Sequence, residues 1–124
     1  MHKPSDEELE LLHVELCSAL SDTTRIAILY EVAEGPRHVG EIVASLGLPQ
    51  GTVSRHLKTL RERNLLAAER DGNRVFYRLR EPRVLEVLSL MREILRDNLR
   101  RRREAAVRIE AEQGPVRRGR RARG

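Results

Sequence analysis

Apolar residues recur every three to four positions along most of this chain, with one interruption. Leu9, Leu12, Leu16 and Leu20 share a face at helical spacing, which predicts a helix over 6–20. Ser5 or Asp6 can cap its start, where the early acids suit the positive end of the helix dipole. Ser21-Asp22-Thr23-Thr24 breaks the pattern and offers caps for a second helix over 22–34. Its apolar face is read as Ile26, Leu29, Tyr30 and Ala33, and Gly35-Pro36 stops it. A short third helix is expected over 38–46, carrying Val39, Ile42, Val43 and Leu46. Gly47 supplies a tight turn, and Pro49 suits the first position of a fourth helix, where no amide donor is required. That helix, 50–63, has Val53, Leu57 and Leu60 as its buried stripe.

The period then changes. Residues 65–70 read as a strand, Asp71-Gly72-Asn73 as a hairpin turn, and residues 74–79 as the return strand. After Pro82 a long helix is expected over 83–110, with a stripe of Val84, Leu88, Met91, Leu95 and Leu99 flanked by Val87 and Ile94. From Gly114 the chain holds too little apolar surface to bury and is expected to be disordered. The fold class predicted is mainly α with a small β-wing, in the order α-α-α-α-β-β-α. Residues 1–112 form the folded domain and 113–124 an Arg/Gly-rich basic tail.

Only 2% of the 124 residues are aromatic, so the core must be built from Leu, Val, Ile and Ala. Charged residues make up 35%, high for a chain that buries all it can by itself, and this points to a partner subunit. No apolar run reaches the roughly 18 residues a membrane span requires, and the polar, acidic N-terminus carries no secretory signal. The single cysteine, Cys17, cannot pair within the chain, which fits a reducing cytoplasm.

Charge is distributed unevenly. The net charge is +5, but residues 1–49 are net −6, residues 50–80 net +5 and residues 100–124 net +7. Clustered positive charge is the footprint of phosphate binding. Two short helices joined by a Gly-containing turn and followed by a hairpin make a helix-turn-helix with a wing, whose second helix enters the major groove. On helix 50–63 the face opposite the buried stripe carries Gly51, Thr52, Arg55, Lys58, Thr59 and Glu62, with Gln50, Ser54 and His56 near the leading end. Gln and Arg form bidentate bonds with base edges, and Thr and Ser reach bases or phosphates. The expected base contacts are Gln50, Thr52, Ser54, Arg55 and His56. Lys58, Arg70, Asn73 and Arg74 are expected on phosphates or in the minor groove, the wing arginines straddling a backbone. The plainer alternative is an amphipathic surface helix beside a solubilising hairpin, but the two occurring together favour DNA.

Ala19-Leu20-Ser21-Asp22-Thr23-Thr24-Arg25-Ile26-Ala27-Ile28-Leu29 resembles the signature of the ArsR/SmtB family of repressors. Residues 39–42 and 46–60 resemble its helix-turn-helix, and residues 70–77 its wing. The likeness covers roughly residues 9–99. It implies a homodimer, built through the first and last helices, that represses transcription from a pseudo-palindromic operator, with half-sites spaced by whole helical turns. Family metal sensors often carry Cys-Val-Cys at the start of the third helix, where this chain has His38-Val39-Gly40. Others use Asp/His pairs on the last helix, yet residues 83–110 contain no His or Cys. No metal site and no cofactor are therefore expected. Cys17 is a candidate redox sensor; the alternative is a buried small hydrophobe on the first helix.

Catalysis is not expected: Ser54 and His56 point about 200° apart on one helix and cannot act as nucleophile and base. The expected function is a cytoplasmic, nucleoid-associated transcriptional regulator. Two alternatives stand beside it: a sequence-tolerant architectural DNA binder relying on its basic tail, and a winged-helix module that binds protein.

Overall fold

The computed structural model describes residues 1–113; the expected tail lies outside the described residues from 114 onward. The chain divides into two units, Met1–Glu86 and the part from Val87 onward.

In the first unit, α1 spans Asp6–Leu12, with Ser5 Oγ accepting from the Glu8 amide at 3.1 Å. The expected single helix to residue 20 does not persist. It widens into a π-helical turn over His13–Cys17, closed by Ser18 N–H donating to His13 O at 2.8 Å, then tightens into a 3₁₀ turn over Ala19–Ser21. α2, Thr23–Ala33, starts on Asp22, whose carboxylate accepts from the amides of Thr24 at 2.8 Å and Arg25 at 3.3 Å. A two-residue strand β1, Arg37–His38, leads directly into α3, Val39–Leu46. α3 ends on Gly47, whose φ of +66° is a left-handed cap that glycine adopts without strain. α4 spans Gln50–Glu62, with Pro49 just outside it at the cap position.

β2, Leu66–Asp71, and β3, Arg74–Leu79, form the hairpin. Asp71 pairs with Arg74, leaving Gly72-Asn73 as a two-residue loop in which Gly72 alone takes positive φ, +65°. The wing is not two-stranded as expected. β1 pairs antiparallel with β3, matching Arg37 to Tyr77 and His38 to Phe76, so the sheet order is β1-β3-β2.

Ala19, Ile28, Leu29 and Val32 pack with Ile42 of α3 and with Val53, Leu57 and Leu60 of α4, closed by Leu65, Leu66 and Val84. Each is almost wholly buried, and each large one contributes about 1.5–3 kcal/mol of apolar transfer. The buried face of α2 is therefore Ile28, Leu29 and Val32, not the expected Ile26, Leu29, Tyr30 and Ala33; Tyr30 is exposed. Because α2 lies between α4 on one side and β3 on the other, its inward side is broader than a single stripe.

Five large apolar residues of the α1 region, Leu9, Leu11, Leu12, Val14 and Leu16, remain exposed in the isolated subunit. α5 runs from Arg83 to Gln113, three residues past the expected end. Val84 and Leu88 of its stripe are buried, whereas Val87, Leu90, Met91, Ile94, Leu95 and Leu99 are 43–60% exposed. Among the described residues, no helix is long and apolar enough to cross a membrane.

Candidate nucleic-acid interface

α4 sits on the core through Val53, Leu57 and Leu60 and turns the rest of its surface outward. Gln50, Gly51, Ser54, Arg55 and Lys58 are exposed, and Thr52 and Thr59 are half-buried. No side chain caps its N-terminus, so its first-turn amides are open where the helix dipole is positive. Gly51 adds nothing that would obstruct an approaching backbone, and a Cβ built there meets no atom within 4 Å. Side chains rich in donors and acceptors and open backbone amides thus share one end of one helix.

His56 departs from the expected set. Its side chain is only 11% exposed and turns toward the start of α2. The Arg25 guanidinium lies 3.2 Å from His56 Nδ1. Arginine can only donate, so Nδ1 accepts and the ring proton sits on Nε2, which faces Asp22 Oδ1 at 3.9 Å. Arg25 also donates to the carbonyls of Ala19 at 2.7 Å and Ser18 at 2.9 Å. Burial works to raise the Asp22 pKa, but the amides of Arg25 and Thr24, with the charge of Arg25, together hold it below its ordinary value. The Ser-Asp-Thr-Thr-Arg segment is thus a clamp: Asp22 starts α2 while Arg25 ties the preceding 3₁₀ turn to α4. His56 positions α4 and does not face outward beside Arg55.

A second tie joins the far end of α4 to the first helical segment. Arg63, just past α4, places Nη1 3.5 Å from Glu15 in the π-helical turn. Neither Arg25 nor Arg63 stands out by periodicity. Arg25 could have been found from its place in the family-like signature; Arg63 carries no sequence signal.

Arg70, Asn73 and Arg74 are all exposed at the wing. Paired residues in a ribbon share a face, so Arg70 with Val75 and Arg74 with Asp71 put the two arginines on opposite faces. Arg74 Nη1 lies 3.4 Å from His38 Nε2, and the His38 ring meets Phe76 edge-on at 5.5 Å. The His38 amide donates to Glu41 at 3.1 Å, closing the first turn of α3. His38 therefore joins α3 to the wing.

Cys17 is exposed, which corrects its reading as a buried hydrophobe: the π-helical turn leaves it on the outer surface of the subunit. Among the described residues, no three His, Cys, Asp or Glu side chains converge to hold a metal ion.

Two helices across a glycine turn, the second displaying donors, and a paired hairpin with exposed arginines define a winged helix-turn-helix. The model of the family described as bacterial regulatory protein, arsR family, matches residues 22–68. Over 90 residues the chain is 37% identical to the uncharacterized HTH-type transcriptional regulator Rv0081 of Mycobacterium tuberculosis, covering 72% of this chain and 79% of that protein. The crystal structure of Rv0081 superposes with a TM-score of 0.69 at 33% identity, over 82% of this chain and 98% of that one. The HTH-type transcriptional repressor SmtB of M. tuberculosis is 39% identical over 74 residues, covering 60% of this chain and 55% of that repressor. A homodimeric winged helix-turn-helix DNA-binding domain from Mycobacterium bovis has a TM-score of 0.66 at 30% identity, over 80% of this chain and 94% of that one. The chain belongs to the arsR family of bacterial regulatory proteins. It is a DNA-binding transcriptional regulator and not an enzyme.

Proposed function

We propose that the chain is a homodimeric repressor that acts in the cytoplasm on a pseudo-palindromic operator. The observation that carries this reading is the outward face of α4, where Gln50, Ser54 and Arg55 stand beside an uncapped helix N-terminus above a fully buried stripe. Gln50, Thr52, Ser54 and Arg55 read bases in the major groove. Lys58 holds phosphate, and Arg70, Asn73 and Arg74 follow the adjacent backbone or minor groove. His56 contributes by fixing α4 through Arg25.

The dimer is supported by the apolar residues left open on α1 and α5, a larger set than a monomer leaves uncovered without use. The M. bovis relative is homodimeric, and SmtB is named a repressor. A two-fold dimer presents two copies of α4 and so reads an inverted repeat.

Selection of genomic fragments by the purified protein at about 150 mM salt, where non-specific phosphate binding is suppressed, tests this. The expected result is one inverted-repeat motif. Recovery of fragments with no shared motif supports the sequence-tolerant architectural binder instead.

A further inference from the structure

The distal part of α5 carries charge that the winged helix does not use. It lies outside residues 22–68, which match the family model, and beyond the apolar stripe that ends at Leu99. Arg100, Arg101, Arg102 and Arg103 follow one another, and at 3.6 residues per turn they form a belt around the helix. Arg100 is held by Asp97 at 3.1 Å and Arg101 by Asn98 at 3.3 Å. Among the described residues, Arg102, Arg103 and Arg108 have no hydrogen-bond or ion-pair partner. Arg100, Arg103 and Arg108 line a shallow groove on one face with Val107, where Glu104 is the only acid. Residues 114–124 add five arginines and no acid in sequence.

Arg100 and Arg103 face each other at i, i+3 spacing, a like-charge pair that weakens the helix holding it. A bound polyanion removes that repulsion. A belt, as distinct from a focused pocket, suits a ligand that is a line of charge with no sequence to be read. We propose that Arg100–Arg103 with Arg108 form a second, sequence-independent site for the phosphate backbone of duplex DNA flanking the operator. The inference rests on the reading of this chain as an operator-binding regulator. It divides the work: α4 selects the sequence, and distal α5 adds affinity from whatever DNA lies beside it.

The test compares the full chain with its Arg102→Gln/Arg103→Gln/Arg108→Gln variant, whose substitutions lie on exposed positions and keep good helix formers. Both are titrated on a minimal operator duplex and on the same duplex with ten added base pairs on each side. The wild type is expected to gain at least about tenfold from the flanks, and the variant to lose most of that gain. The slope of log affinity against log salt should be shallower in the variant by roughly 2–3 per subunit, while the preference for operator over shuffled core stays unchanged. Identical slopes and no flank effect in the wild type overturn the inference and leave the operator reading intact. A flank effect that survives in the variant but is lost on deleting residues 114–124 overturns the assignment to α5. Arginine-dependent binding to anionic phospholipid vesicles, with the flank effect untouched, replaces DNA by a membrane surface. Failure of the wild type to bind any duplex overturns both readings.

Discussion

The Arg25 guanidinium lies 3.2 Å from His56 Nδ1, with its other nitrogens on the carbonyls of Ser18 and Ala19. One side chain therefore spans the turn that ends the first helical segment, the start of α2 and the middle of α4. Removing it should cost more than a surface arginine. Arg25→Ala is expected to lower stability by about 2 kcal/mol, since it breaks hydrogen bonds to a charged donor at a half-buried site. His56→Ala should cost less, and the double variant should fall short of the sum, because the two share one contact. Urea midpoints for the four chains measure this; strict additivity contradicts the clamp.

Asp22 supplies the acid-sensitive part of the same clamp. Its folded pKa lies below the ordinary 3.8, so the unfolded chain binds a proton first as pH falls. Its contribution to stability is full above that value and is lost as pH drops through the lower folded pKa. Asp22→Asn keeps an oxygen to cap α2 but cannot lose a charge. The difference in urea midpoint between wild type and Asp22→Asn should be present at pH 7 and shrink below pH 3.8. A constant difference across that range contradicts the assignment.

Arg55 and Lys58 stand one turn apart on the outward face of α4 and are proposed to do different things. Arg55→Ala should cost about 1–3 kcal/mol of operator affinity and relax the preference at one base pair per half-site. Lys58→Ala should weaken operator and shuffled duplex alike and reduce the salt slope by about 1. Affinity measured on single-base operator variants separates the two patterns.

Leu95 is 56% exposed on α5, so charging it disturbs a surface and not the subunit core. Leu95→Glu is expected to give a folded monomer in sedimentation, with helix content kept, and to lose most operator affinity because one half-site remains. A variant that stays dimeric would place the subunit contact elsewhere.

Much of the fold is written in local pattern. The stripe Val53, Leu57, Leu60 and the Gly47 turn placed α3 and α4, and the Asp71–Arg74 turn placed the wing. The readings that failed depend on neighbours distant in sequence. Two residues, Arg37 and His38, are too short to carry a strand signal, and they are a strand only because β3 offers them an open edge. Residues 26–30 of α2 are almost all apolar, so periodicity cannot choose the buried side; α4 and β3 choose it. The first helix widens where Ser18 bonds back to His13, a change of register that leaves no mark in hydropathy.

The candidate site was legible to the same degree. Gln50, Ser54, Arg55, Lys58, Arg70, Asn73 and Arg74 stand exposed on α4 and the wing. His56 borders the buried stripe, three residues after Val53 and four before Leu60, and a helical wheel alone cannot say which way such a residue turns. Arg25, 31 positions earlier in the chain, decides it.

The measurement closest to the central proposal is a competition titration at about 150 mM salt. A duplex carrying the selected inverted repeat is set against a shuffled duplex of equal length and composition. The dimer is expected to prefer the repeat by roughly a thousandfold or more, the ratio typical of a sequence-specific regulator. Equal affinity for the two duplexes would contradict the proposal.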